Sequence, residues 1–158
     1  AHVQLAEMAP NDRDKRKILE EAIPSFNDAI SLDPDNPEHH FGMGHTYYLL
    51  LSGRDDPDIR RRSRQSLEKA IELDDDKKPT QAEARYYLAS LINKDPKRAP
   101  GYLTQMLDLL QQAINIGLEE PELEAKAKGG VEQINMKLNP PPTPSTKIEF
   151  PKPDKPPG

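Results

Sequence analysis

Small and large side chains recur along the chain at steps of four and three: Ala22, Phe26 and Ala29, then Ser63, Leu67 and Ala70, then Met106, Leu110 and Ala113. Such steps put each trio on one face of a helix. The trios end in the related segments AISLD, AIELD and AINIG, which start at residues 29, 70 and 113. Internal self-similarity of this kind predicts a repeat architecture. The first copy closes with Pro34, a helix stop, and the others hold Asp75 and Leu118 at the same place.

A second series precedes each trio. It reads His40, Met43, Gly44 and Tyr47 in one copy, Arg85, Leu88, Ala89 and Ile92 in the next, and His2, Leu5, Ala6 and Ala9 in a truncated first copy. Each repeat is therefore expected to be a pair of helices. The first copy also implies that the chain begins inside a helix, with an upstream segment before Ala1. After the third pair, Leu123, Ala127, Val131, Ile134 and Leu138 mark one more amphipathic helix, expected to kink or split at Gly129 and Gly130. A helix there would cover the last open apolar face of the stack. The expected division is helix pairs at about 1–36, 37–78 and 79–119, a capping helix at about 120–138, and a tail from 139 to 158.

That tail, NPPPTPSTKIEFPKPDKPPG, holds eight of the chain's 17 prolines, which excludes a helix or a central strand. It reads as an extended arm, with Ile148 and Phe150 as its large apolar anchors.

Composition narrows the function. The net charge of −5 argues against a nucleic-acid binder, which needs a basic surface to displace counterions. No apolar run reaches the ~18 to 20 residues that a membrane helix needs. Association with a membrane complex is compatible with this, and a bacterial cell-envelope location with an anchor upstream of Ala1 is the compartment expected. The absence of cysteine removes disulfides, thiol catalysis and iron–sulfur clusters. The chain also lacks a Gly-rich phosphate loop, a Gly-x-Ser-x-Gly elbow and a His-Glu-x-x-His pair. No enzymatic activity and no cofactor are expected.

The run AIPSFNDAISLDPDNPEHHFGMGHTYYLL resembles the tetratricopeptide repeats, with Ala22-x3-Phe26 in a second helix and His40-x2-Met43-Gly44-x2-Tyr47 in the next first helix. The resemblance extends over roughly residues 1 to 118. It implies an all-α fold, a short right-handed α-solenoid of about three helix pairs with the capping helix and Pro-rich tail appended. Gly44 then marks a close helix approach. First helices line a concave groove in this family, which assigns Glu38, Phe41, His45, Tyr48, Glu83, Tyr86, Tyr87, Ser90 and Asn93 to a partner-binding surface. The family's chaperone-tail binders use a basic clamp there. The matching places hold Val3, Glu7, Gly42, Glu83 and Tyr87, so that function is not expected.

These repeats are longer than the usual ~34 residues. The surplus is expected in the turns PNDRDKRK, SGRDDPDIRRR and NKDPKRAPG, which would project from one edge as a charged rim including Arg54, Arg60, Arg61 and Arg64. The functional expectation is a non-catalytic protein-interaction scaffold, an accessory subunit docked in a larger complex through the groove and the arm. A transient assembly factor or cochaperone that captures extended peptides is the alternative. A metal-binding or enzymatic subunit using His39, His40 and His45 is a further rival, disfavoured because zinc needs three or four converging ligands and His40 and His45 do not share a helix face.

Overall fold

The computed structural model describes residues 11–73 and 79–142, with Gln4, Ala6, Met8 and Ala9 ahead of them. Helices α1 (Asp12–Leu32), α2 (Pro37–Leu50), α3 (Pro57–Glu72), α4 (Pro79–Lys94), α5 (Tyr102–Ile116) and α6 (Pro121–Leu138) follow one another, with no strand among the described residues. Local chemistry explains where they start. Proline opens α2, α3, α4 and α6, where its missing N–H is one the helix would leave unpaired in any case. Asn11, Asn36 and Asp56 cap α1, α2 and α3 by accepting hydrogen bonds from first-turn amides. Gly101 and Gly117, both at positive φ, bracket α5.

The Asp56 cap accepts from the amides of Asp58 at 3.0 Å and Ile59 at 3.1 Å. Asp56→Ala is expected to lower stability by ~1 kcal/mol in chemical denaturation. An unchanged midpoint would mean that water satisfies α3 equally well.

Each helix packs chiefly on its neighbours in sequence, and α2 also touches α4. This is the contact pattern of a helical solenoid. Ala6, Leu19, Met43, Tyr47 and Leu50 form one apolar cluster, and a larger one runs from Leu67 to Ile134. Between α2 and α3 the backbones come close. A Cβ on Gly44 would lie 2.8 Å from Leu67 Cγ and 3.0 Å from the Leu67 amide nitrogen. Ser63 Oγ donates to the Gly44 carbonyl at 2.8 Å. The next junction is polar: Gln81 Nε2 donates to Ala70 O at 2.9 Å, and buried Arg85 donates to Gln81 and to Gln112 Oε1. Hydrogen bonds of this kind make the burial of a guanidinium tolerable.

Several expectations need correction. Residues 12–17 and 57–62 belong to helices rather than turns, because the Asn11 and Asp56 caps turn strongly polar sequence into helix N-termini. α6 is unbroken through Gly129 and Gly130; Gly130 lets Leu110 approach, since a Cβ there would sit 3.0 Å from Leu110 Cδ1. Leu123, Ala127 and Ile134 are buried, Val131 is half-buried, and Leu138 is 40% exposed at the helix end. Ala9 lies just past the helical residues Gln4 and Ala6 rather than on their face. His2, Leu5 and Asp75 lie outside the described residues, as do Ile148 and Phe150.

Candidate functional site

Phe41, His45 and Tyr48 stand at steps of four and three on α2, so their rings share a face. Tyr87 on α4 meets them across the α2–α4 contact, with Tyr86 beside it on the same helix. Tyr87 is the hub. Its ring stacks on His45 with centroids 4.3 Å apart, lies 4.9 Å from Tyr48 and 6.3 Å from Phe41, and takes Tyr86 edge-on at 5.3 Å. Phe41 stacks on His45 at 5.6 Å. All five rings are half-buried, so each keeps part of its surface in solvent.

Charge is arranged around this surface rather than within it. Burial lowers the His45 pKa from the usual 6.5 to about 4, so its ring is neutral at pH 7. The Tyr87 hydroxyl is pushed well above the tyrosine range, first by burial and then by Glu83 and Glu120. Glu83, one turn before Tyr87, is itself raised by burial, with the like charges of Glu120 and Glu119 adding to the shift. Toward the other end, Lys94 Nζ lies 4.5 Å from the Tyr48 ring centroid and donates to Tyr48 Oη at 3.0 Å. The groove therefore has an acidic end, an aromatic floor and the Lys94 ammonium beside Tyr48. Its chemistry suits ring and aliphatic contacts, with attraction for a cation at the acidic end.

The remaining groove positions do not join the rings. Glu38 is exposed in the first turn of α2, Ser90 is half-buried, and Asn93 is exposed with its carbonyl accepting from Arg98 at 2.8 Å. Gly42 faces Phe26 of α1, where a Cβ would clash with that ring. Lys94, Glu119 and Glu120 were not among the residues expected here. Placing the start of α6 in the position of a further first helix would have brought the two glutamates to the groove.

The arginine rim divides by partner. Arg60, only 13% exposed, pairs with Asp55 and lies 3.8 Å from Asp95, tying the α2–α3 turn to the α4–α5 turn. Arg61 and Arg64 pair along their own helix with Asp58 at 2.9 Å and Glu68 at 2.7 Å. Among the described residues Arg54 has no ion-pair partner.

The histidines do not converge either. His40 Nε2 donates to Pro34 O at 2.8 Å, while His45 lies in the ring stack. No group of three potential metal ligands occurs among the described residues. No described helix is long and apolar enough to cross a membrane.

Stacked helix pairs of this kind define a helical-repeat solenoid. The family model described as TPR repeat matches residues 15–50, covering most of α1 and all of α2. The chain contains a repeat of the tetratricopeptide type at those residues. Such repeats generally mediate protein–protein interaction and are typically non-catalytic. No curated protein matches the chain.

Proposed function

We propose that the protein is a non-catalytic interaction scaffold, an accessory subunit that docks in a larger assembly. The observation that carries this reading is the half-buried five-ring cluster formed by Phe41, His45, Tyr48, Tyr86 and Tyr87. A partner segment with ring or aliphatic side chains covers these rings, and a basic residue beside it meets Glu83, Glu119 and Glu120. Aromatic side chains suit this use because they offer large contact area at low entropic cost. The Pro-rich arm at 139–158, with Ile148 and Phe150 as anchors, provides a second point of attachment and raises overall affinity through linkage.

The test is affinity purification from the native source with the intact chain, a chain ending at Asn139, and Tyr87→Ala. Far-UV circular dichroism checks that each variant is folded. Tyr87→Ala is expected to reduce recovery of groove-bound partners at least about tenfold. Truncation is expected to deplete a defined partner set. Recovery of the same proteins by all three chains would sink the reading, and a broad set of unrelated extended clients would favour a transient assembly factor instead.

A further inference from the structure

The edge where the turns emerge carries a feature independent of the aromatic groove. The start of α1, the end of α2 and the α2–α3 turn enclose a cleft of about 460 Å³. Leu19, Leu49 and Leu50 lie along it, with Arg13, Lys15 and Arg54 at its sides. Leu49 is half-buried, so part of the apolar floor remains open to solvent.

Arg16 also lines the cleft but is paired locally. Arg16 pairs with Glu20 at 2.8 Å, and Arg60, Arg61 and Arg64 have the carboxylate partners described above. Among the described residues, Arg13, Lys15 and Arg54 have none, and Asp12 is the one carboxylate lining the cleft. Three cations without an ion-pair partner, against the one carboxylate of Asp12, lie with the leucines of the cleft and, on a chain of net charge −5, make a local site of inverted sign. A second, separate cleft shares Ser52, Gly53 and Arg54 with the first and is lined also by Asp55 and Arg60, which pair with each other. A trough of about 460 Å³, lined by leucines as well as cations, suits a peptide segment rather than a single ion.

We infer that this trough is a second docking site, for an acidic segment of a partner protein with leucine-like side chains among its carboxylates. Guanidinium groups take carboxylates in paired hydrogen bonds, and the leucine floor takes an apolar side chain between them. A bilayer surface is a poorer occupant, because a recessed cleft holds its floor away from a flat layer of headgroups. Nucleic acid is poorer still, since three free cations release few counterions and the rest of the chain repels phosphate.

The experiment is fluorescence anisotropy of the full chain with a labelled peptide that alternates glutamate and leucine. Binding is expected, and it should weaken between low salt and ~0.5 M. The pair Arg13→Glu and Arg54→Glu is expected to weaken it at least about tenfold. The pair Arg61→Glu and Arg64→Glu makes the same change in net charge away from the cleft, and should leave affinity unchanged. Arg54→Gln, a milder change at an exposed residue, should give a smaller loss in the same direction. Tyr87→Ala should bind normally, which separates this site from the groove.

No binding of the Glu-Leu peptide would overturn the inference. So would equal loss in the two charge-reversed pairs, equal affinity for a Glu-Ser peptide that lacks apolar side chains, or preference for phosphatidylserine vesicles over the peptide.

Discussion

Gly44→Ala is expected to destabilise the protein by ~1 to 2 kcal/mol, although alanine is the better helix former by up to ~1 kcal/mol. The new methyl group would sit 2.8 Å from Leu67 Cγ and 3.0 Å from the Leu67 backbone nitrogen. Leu67 is fully buried, so its side chain has little room to yield, and the nitrogen moves only with α3. Overpacking of this sort costs about 1 to 3 kcal/mol, which outweighs the gain in propensity. Leu67→Ala alone is expected to cost ~3 kcal/mol by opening a cavity. Combined, the two changes should cost less than their sum by ~1 kcal/mol, because the shorter side chain makes room for the methyl group. Urea denaturation of the wild type and the three variants measures this coupling. Strict additivity would mean that the methyl group clashes with the Leu67 backbone rather than with its side chain. The contact also bears on the ring cluster, since Gly44 is three residues from Phe41 and four from Tyr48 and so fixes the part of α2 that carries these rings.

Periodicity made much of this legible, because steps of four and three on a helix define a face whatever the tertiary context. Ser63, Leu67 and Ala70 are all buried, as are Arg85, Leu88, Ala89 and Ile92. The resemblance to the tetratricopeptide repeats, whose first helices line a groove, grouped Phe41, His45 and Tyr48 with Tyr86 and Tyr87. Pairing across long sequence separations left no such trace. The bond from Lys94 to Tyr48 depends on the two first helices lying side by side in a particular register. The proximity of Glu119 and Glu120 to Glu83 depends on where α6 begins. Arg85 could be placed on a packing face by its phase, but its partners Gln81 and Gln112 come from the first turn of its own helix and from α5. Polarity misled where charged residues follow Asn11 and Asp56. Composition there resembles a turn, while the caps and Pro57 start helices. The rim consequently shrank, and its arginines separated into those neutralised locally and Arg54, which is not.

Acid is expected to destabilise the protein through His45 by up to ~3 kcal/mol between about pH 6.5 and pH 4, relative to a His45→Phe variant. The folded-state pKa is about 4 against the usual 6.5, with burial as the cause. As the pH falls through this window, the unfolded chain takes up the proton before the folded one does. More protons bound in the unfolded state means that stability falls as the pH falls, and the contribution of neutral His45 is complete only above about 6.5. Glu83 acts with the opposite sign. Its folded pKa is raised, so its contribution is present at low pH and lost as pH rises through that value. Because Glu83 is present in both proteins, its effect largely cancels in the difference between them. Denaturation midpoints of the two proteins across this range provide the measurement. The faces of Phe41 and Tyr87 can accommodate part of an imidazolium charge, which would make the observed drop smaller than the full shift implies, without changing its sign. A difference that stays flat, or that grows in favour of the histidine toward acid, would mean that His45 is not buried in the ring stack.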